Sequence, residues 1–359
     1  MTDLEKLCSR VTEAADCAVI TDDVNRRYFT AMKSSAGTLV VFPEKAYFII
    51  DFRYIEKAKK TVTACEVILQ DKLYEQINSL IEKHGAKTVS VNADTCTLSE
   101  LIAYQQKLNA EVIADTKLAE IIREIRTVKS QEQIDKIIKA QRIAEKGFAH
   151  MLDFIKVGRT EKEIQLELDY YMLKNGAEAL SFDTIALSGS NTSLPHGVPS
   201  DKKVESGEFV LMDFGATYDG WHSDMTRTVC VGKPSDKMKS VYETVLNAQL
   251  SALDAVKAGM SGKELDKIAR DIITDAGYGD NFGHSLGHGV GVEIHESPYA
   301  SPSREDILPE NSIVTVEPGI YLEGKFGVRI EDFVVVTENG CINLSLIHIS
   351  EPTRHAQIS

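Results

Sequence analysis

The chain has 359 residues, 43% of them hydrophobic and 26% charged, with a formal net charge of −14 at pH 7. This composition is typical of soluble globular proteins, and the length predicts two domains. The negative charge argues against nucleic acid and anionic membranes as partners. No stretch reaches the roughly 20 apolar residues of a membrane span, and the N-terminus lacks the apolar core of a signal peptide. The six cysteines show no CxxC or zinc-type spacing, so we expect reduced thiols in the cytoplasm.

Residues 1–125 are predicted to form the first and smaller domain. Its short apolar runs are typical of strands: GTLVVF, AYFIID, CEVILQ, KTVSVN and AEVIAD. Two segments between them, LYEQINSLIEKH and LSELIAYQQKL, have helical periodicity. This alternation predicts a βαβ-type domain with a mostly parallel or mixed sheet. It contains no complete chemical motif.

Residues 126–345 are predicted to form the second domain. Ser130 with Gln133 resembles a capping box and predicts a long helix through about Phe154. Two more capping boxes are predicted, at Thr160 with Glu163 and at Ser261 with Glu264. The segments FVLMDFGATYDGW and DMTRTVCVG predict an antiparallel hairpin, and IVTVEPGIYLEGKFGVRIEDFVVVTENG predicts a second one. We expect a curved sheet with helices on its outer face.

An internal repeat relates the two halves of this second domain. The segment IKVGRTEKEI (155–164) resembles VKAGMSGKEL (256–265) at an offset of 101. Further on, MDFG resembles VEPG, which places Asp213 against Glu317. Asp224 then falls near Glu331, and His196 falls near His295. A duplicated unit folded about a pseudo-two-fold axis would bring these groups together at that axis.

Five residues in this repeat are a candidate metal-ligand set: Asp213, Asp224, His288, Glu317 and Glu331. Carboxylates can bridge two divalent cations, and a single imidazole favours Mn, Co, Fe or Zn at one position. The alternative is that these acids are merely solvated at strand edges, which is usual for any single aspartate. That alternative does not explain why acids recur at matched positions inside otherwise apolar strands, where an unpaired charge costs several kcal/mol.

The runs DFGATYDGWHSDMTRT, GHSLGHGVGVEIHE, VEPGIY and GVRIED resemble the pita-bread metallopeptidases, most closely their Xaa-Pro peptidases, aminopeptidase P and prolidase. The resemblance is strong over roughly residues 130–340 and looser in the N-terminal part. It implies an α/β (α+β) chain. A creatinase-like N-terminal domain would precede a pita-bread catalytic domain with a pseudo-two-fold repeat.

The resemblance also implies roles for the five ligands and for their neighbours. Asp213 chelates one metal, Asp224 and Glu331 bridge both, and His288 and Glu317 hold the other. The implied cofactor is two divalent ions, with Mn expected and Co, Zn or Fe as alternatives. Glu317 is also expected to relay a proton to the leaving nitrogen.

Four further side chains are predicted to lie at the substrate. His196 is assigned to the carbonyl or tetrahedral intermediate, and His295 to the peptide carbonyl or the proline side. His284 lies four residues before His288, but HExxH is absent and the segment is glycine-rich, so His284 is expected not to be a ligand. It is expected either to support the ligands or to line the pocket, and the resemblance favours the pocket. Arg329 lies two residues before Glu331, on the same face of a strand. It is predicted to orient a ligand carboxylate or to meet the substrate, with a purely structural pairing as the alternative.

The implied reaction is hydrolysis of the peptide bond on the amino side of proline in proline-containing peptides. Aminopeptidase P activity is favoured, with an Xaa-Pro dipeptidase as the alternative and a non-catalytic binding module as a remote one. A homodimer is expected. Residues 346–359 depart from the family pattern, and we expect this atypical tail to be non-native and to pack poorly.

Overall fold

The computed structural model describes residues 1–346, and the chain divides after Arg126 into two compact units. The predictions about the tail therefore fall, except for Leu346, outside the described residues. Among the described residues, every helix is too short or too polar to cross a membrane.

The first unit contains a six-stranded mixed sheet with the order β4-β3-β2-β1-β5-β6. Its strands are β1 (Cys17–Ile20), β2 (Thr38–Val41), β3 (Ala46–Ile50), β4 (Glu66–Leu69), β5 (Thr88–Val91) and β6 (Glu111–Ile113). Its helices are α1 (Asp3–Arg10), α2 (Asp23–Thr30), α3 (Ile55–Thr61), α4 (Leu73–His84), α5 (Leu98–Lys107) and α6 (Lys117–Thr127). Strand β2 runs antiparallel to β1 and β3, while the other pairs are parallel.

All five predicted strands of this unit are present, but the sequence reading missed β1, which lies in the middle of the sheet. This strand has only four residues, and all of them are buried. A run that short, without alternation of polar and apolar residues, gives no periodic signal. The mixed sheet agrees with the second of the two topologies expected.

The second unit has four long helices: α7 (Gln131–Phe154), α8 (Glu161–Lys174), α9 (Asp236–Ala255) and α10 (Gly262–Asp275). Reciprocal capping boxes begin three of them, at Ser130 with Gln133, Thr160 with Glu163 and Ser261 with Glu264. Each cap hydroxyl accepts a hydrogen bond from the backbone of the third helical residue, whose side chain accepts one in return. The three capping predictions are thereby confirmed.

The strands of the second unit form several small sheets and hairpins. In chain order they are β7 (Ala179–Leu180), β8 (Ile185–Ser188), β9 (Glu208–Phe214), β10 (Ala216–Tyr218), β11 (Trp221–His222), β12 (Met225–Val231), β13 (Gly287–Gly289), β14 (Glu296–Ala300), β15 (Ile313–Val316), β16 (Gly319–Leu322), β17 (Phe326–Arg329), β18 (Asp332–Thr337) and β19 (Gly340–Asn343). Strand β9 pairs antiparallel with β8 and β12, which confirms the first predicted hairpin.

The second predicted hairpin is interrupted. Strands β15 and β18 pair in its outer part, and β16 and β17 pair in its inner part. Glu317 lies directly after the last residue of β15. The prediction that it lies within a strand is therefore wrong. Pro318 explains the break, because proline has no N–H to donate to a strand partner.

The duplication is visible in the elements themselves. Helices α8 and α10 have 14 residues each, and they begin 101 positions apart. The residue before each helix makes an isolated antiparallel bridge, Thr160 to Lys203 and Ser261 to Ile307. The two halves meet along β12. There the backbone N–H of Glu331 donates to the Thr226 carbonyl at 3.2 Å, and the Thr228 hydroxyl donates to the Arg329 carbonyl at 2.9 Å.

Candidate metal centre

The five predicted ligands come from both halves of the second unit. Asp213 is on the central strand β9, and Asp224 immediately precedes β12. His288 is the middle residue of β13, while Glu317 and Glu331 lie in the two breaks of the second hairpin. All five line one cavity of about 500 Å³. The structure therefore brings together residues that are up to 118 positions apart.

Three of the five form a compact cluster. One oxygen each from Asp224 and Glu331 and one ring nitrogen of His288 all lie within 4.8 Å of one another. His288 Nε2 is 3.6 Å from Asp224 Oδ2 and 3.3 Å from Glu317 Oε1. Asp213 is held to one side of this group by Arg329.

Close backbone approaches shape the site. A side chain at Gly287 would collide with the backbone oxygen of Thr315, and one at Gly215 would collide with that of Ser223. Only glycine allows the His288 strand to lie so near β15 and the end of β9 to lie so near the Asp224 segment. The prediction that the glycine-rich segment around His288 is not helical is confirmed by β13.

Burial perturbs the ionisation of the carboxylates. It raises the pKa of Asp224 well above its ordinary value, and the adjacent Glu331 raises it further. Burial likewise raises the pKa of Glu331, with Glu317 adding to the rise. The pKa of Asp213 is raised by burial against the opposing effect of Arg329. Burial and the nearby like charges therefore disfavour the ionised forms of these three acids.

Glu317 and His288 behave as a pair. Burial is the largest single influence on the pKa of Glu317 and would raise it, but the hydrogen bond and charge of His288, together with the charges of His284 and Arg329, lower that pKa to about 2. Burial would lower the pKa of His288, yet the hydrogen bond and charge of Glu317, with smaller contributions from the Gly289 backbone and Asp213, raise it. The backbone N–H of His288 donates to Thr315 Oγ1 at 3.0 Å, and that hydroxyl lies 3.2 Å from Glu317 Oε1.

The residues fit a divalent metal centre. The buried Oδ1 of Asp213 has no hydrogen-bond partner among residues 1–346. Buried polar atoms are almost always paired, so an orphan of this kind indicates a missing ion or water. Cations between the carboxylates would also remove the repulsion that raises their pKa values. The set of carboxylate oxygens and one imidazole suits Mn, Co, Fe or Zn.

Arg329 is buried, and each of its donor nitrogens has a protein partner. Its Nη2 lies 2.5 Å from Asp213 Oδ2, its Nε lies 2.9 Å from Thr226 Oγ1, and its Nη1 lies 2.8 Å from the Tyr321 hydroxyl. Arg329 thus holds the Asp213 carboxylate, and that this carboxylate is a metal ligand stays a prediction. A direct contact with substrate stays a prediction.

Three further histidines line the cavity that contains the predicted ligands. His284, His196 and His295 all line the cavity. His284 Nε2 lies 2.9 Å from the Tyr321 hydroxyl, and the ring centroids of His288 and His295 are 4.3 Å apart. Burial lowers the pKa of both His284 and His295. A neutral imidazole has one donor nitrogen and one acceptor nitrogen. His284 uses both of its ring nitrogens within the protein, because its Nδ1 also lies 2.8 Å from the Ser285 carbonyl.

The sequence reading overlooked several residues of this site. Tyr321 joins His284 to Arg329, and the hydroxyl of Thr226 donates to Glu331 Oε2 at 2.7 Å. Thr226 and Thr315 each lie two residues from a predicted ligand, so strand alternation could have placed them on the same face. No comparable signal in the sequence distinguishes Tyr321 from a packing residue.

Comparison with known proteins identifies related chains over nearly the full length. Residues 135–338 match the family described as metallopeptidase family M24, and residues 4–128 match the creatinase/prolidase N-terminal domain. The chain is 39% identical over 345 residues to the Xaa-Pro dipeptidase of Pyrococcus furiosus, covering 95% of this chain and 97% of the relative.

Solved structures show the same similarity. The Xaa-Pro dipeptidase from Bacillus anthracis superimposes with a TM-score of 0.93 at 40% identity, covering 96% of this chain and 97% of that one. The X-Pro aminopeptidase from Thermotoga maritima superimposes with a TM-score of 0.88 at 39% identity, covering 93% and 96%. Relatives with both names thus match this chain about equally well.

Proposed function

Because the chain belongs to metallopeptidase family M24, we propose that it hydrolyses the peptide bond that precedes proline and releases the N-terminal residue of Xaa-Pro peptides. The observation that carries this proposal is the meeting of four carboxylates and one imidazole in a single cavity that three further histidines line. The proposed metal ligands are Asp213, Asp224, His288, Glu317 and Glu331. Two divalent ions per chain are proposed, with Mn first and Co, Zn or Fe as alternatives.

The roles of the side chains follow from their positions. When bound, divalent ions supply Lewis-acid stabilisation of the developing oxyanion and lower the pKa of water. A carboxylate oxygen of Glu317 takes up a proton from the attacking water, whose oxygen bonds to the carbonyl carbon, and delivers it to the proline nitrogen as the C–N bond breaks. His196 and His295, on the loops around the cavity, donate hydrogen bonds to the substrate carbonyl as charge develops on it.

The shape of the cavity supports a proline-containing substrate. Phe182, Ile185, Pro195 and Tyr299 provide apolar surface beside the ligands. The substrate nitrogen of an Xaa-Pro bond is tertiary and carries no proton, so the site needs no acceptor for it. A pyrrolidine ring would bury its methylene groups against this apolar surface at roughly 25 cal/mol per Å².

Two activities fit this site, and we propose the aminopeptidase P type first. Such an enzyme removes the first residue from longer peptides, whereas an Xaa-Pro dipeptidase accepts only dipeptides. The dipeptidase is the second candidate, because relatives at 39% and 40% identity carry that name. We further propose that the protein is a homodimer. We also propose a cytoplasmic location, which the six free cysteines support.

One assay tests these alternatives. The protein is freed of metal and reloaded with each of Mn, Co, Zn and Fe in turn, and cleavage of Ala-Pro, Ala-Pro-Ala and Ala-Ala is measured. Release of alanine from Ala-Pro-Ala supports the aminopeptidase, and cleavage of Ala-Pro alone identifies the dipeptidase. Equal rates on Ala-Ala and Ala-Pro would indicate a general aminopeptidase. Failure to cleave any of them with every metal would overturn the proposal.

A further inference from the structure

The first residue of α8, Glu161, is a fully buried carboxylate outside the proposed metal centre. Its exposed fraction is 0%, although glutamate is almost never fully buried without partners. Burying a charged group costs several kcal/mol unless hydrogen bonds compensate. Hydrogen bonds to Glu161 must therefore offset this cost, and the residues that donate them show what the side chain holds in place.

Both carboxylate oxygens of Glu161 are saturated by neutral donors. Oε1 accepts from the Ser188 backbone N–H at 2.7 Å, the Ser188 hydroxyl at 3.1 Å and Asn191 Nδ2 at 3.0 Å. Oε2 accepts from the Ser200 backbone N–H at 2.9 Å, the Ser200 hydroxyl at 2.6 Å and Asn191 Nδ2 at 3.2 Å. The glutamate thus ties together two serines that are twelve positions apart.

These two serines are the ends of the loop that carries His196. Ser188 is the last residue of β8, and Ser200 follows the His196 segment. The first turn of α8 reinforces the closure, because the Lys162 backbone N–H donates to the Ser200 carbonyl at 3.1 Å. His196 itself is exposed at the cavity, so its position is set by the loop and not by burial of its own ring.

The second half of the repeat uses an acid on the equivalent helix in the same way. Asp266 on α10 is 1% exposed, and its Oδ1 accepts from the Leu286 backbone N–H at 2.9 Å. Asp266 also binds Arg270, which donates to the carbonyls of Phe282 and His284. In each half, an acid on the repeated helix thus fixes the backbone of a loop that presents a histidine to the cavity.

We propose that Glu161 is a positioning residue that closes the Ser188–Ser200 loop and thereby holds His196 over the reacting carbonyl. The role of His196 in this statement rests on the proposed function, whereas closure of the loop by Glu161 does not. Replacement by glutamine puts an NH₂ group where an oxygen now accepts three hydrogen bonds. At least one end of the loop then loses its acceptor.

The test compares Glu161→Gln with Glu167→Gln, which makes the same change on the same helix. Glu167 Oε1 contacts His150 at 2.6 Å, away from the loop. For Glu161→Gln we expect kcat on Ala-Pro substrates to fall by roughly 10-fold to 10²-fold, the scale of a misplaced catalytic group. Metal content and KM should stay close to wild type. Hydrogen exchange in the peptides that contain Ser188 and Ser200 should become faster, and the Glu167→Gln control should show none of these changes.

A double-mutant cycle separates positioning from general damage to the fold. In a His196→Ala background, Glu161→Gln should lower kcat by no more than roughly twofold, because its effect passes through the missing imidazole. Full additivity of the two losses would overturn the proposal, as would unchanged exchange in the loop peptides. If Glu161→Gln does not fold, Ser200→Ala takes its place. It removes the hydroxyl that donates to Glu161 and accepts from the Lys202 backbone N–H, and it keeps the Ser200 backbone N–H that donates to Glu161. It must then show a smaller kcat loss and the same non-additivity with His196→Ala, and additivity there would equally overturn the proposal.

The exchange measurement also separates this proposal from the proposed function. Loss of loop protection in a protein that cleaves none of the peptides would support the closure by Glu161 and reject the peptidase assignment. If Glu161→Gln leaves the loop protection unchanged and the protein cleaves the peptides, the peptidase assignment would be supported and the closure by Glu161 rejected.

Discussion

Arg329 Nη2 and Asp213 Oδ2 lie 2.5 Å apart and join residues that are 116 positions apart in the chain. Asp213 belongs to the first copy of the repeat and Arg329 to the second. The guanidinium occupies Oδ2 of Asp213, while the buried Oδ1 has no hydrogen-bond partner among residues 1–346. One ion pair therefore both joins the copies and orients a proposed ligand.

Replacing this arginine by lysine tests the importance of its shape. In Arg329→Lys the positive charge stays, but one ammonium cannot reach Asp213, Thr226 and Tyr321 together. We expect metal affinity or kcat to fall by roughly 10-fold to 10²-fold, as is typical for partners that orient metal ligands. Metal titration and steady-state kinetics measure this. Tyr321→Phe removes the hydroxyl that contacts Arg329 and His284 but leaves the guanidinium on Asp213, so its effect on metal affinity should be smaller. Wild-type behaviour of Arg329→Lys would contradict the assigned role.

Neutralising a proposed ligand should have different effects on the stability of the metal-free protein and on that of the metal-bound protein. Asp224→Asn removes one of four crowded buried acids, so the metal-free variant should melt at the same temperature as wild type or higher. The variant should lose turnover and the rise in melting temperature that metal produces. For wild type at 100 times Kd, that rise corresponds to about 2.7 kcal/mol. Calorimetry with and without Mn measures it, and Asp153→Asn on the exposed surface serves as the control. Normal turnover in Asp224→Asn would contradict its place among the ligands.

His196 is expected to act on the substrate and not on the metal. His196→Ala should keep its metal and lower kcat by roughly 10²-fold, the scale for loss of one transition-state donor. Elemental analysis and kinetics on Ala-Pro substrates measure the two effects. Val198→Ala is a control on the same loop, because Val198 is 82% exposed. If His196→Ala loses its ions, His196 is a ligand and the assigned roles are wrong.

The buried pair of Lys129 and Glu296 predicts a stability effect in the second unit. Lys129 Nζ lies 2.6 Å from Glu296 Oε1, and the two side chains are 0% and 7% exposed. In Lys129→Met, Glu296 keeps a buried charge without its lysine, which should cost about 3–5 kcal/mol of unfolding free energy. Chemical denaturation measures this loss. The double variant Lys129→Met with Glu296→Gln should recover a large part of the stability, and a double variant no more stable than the single one would show that charge is not the cause.

Much of this site could be predicted from the sequence, because the repeat places acids at matched positions in apolar strands. The same reasoning found the capped helices, since a capping box is local in the chain. Tyr321 and Glu161 escaped prediction for a common reason. Their partners are 8 to 39 positions away and lie on other elements, so only the folded arrangement distinguishes them from a packing tyrosine and an ordinary helix glutamate. Strand β1 was missed because four buried residues show no period.

The division of the ligands between the two copies has a consequence for how the second unit comes apart. Asp213 and Asp224 lie in the first copy, and His288, Glu317 and Glu331 lie in the second. Neither copy alone holds all the proposed ligands, so ions bound by these five residues would hold the two copies together. Any local opening along β12 would separate the ligands before either copy had unfolded. Retention of metal would then report whether the two copies are docked, even in a protein whose helices are all intact.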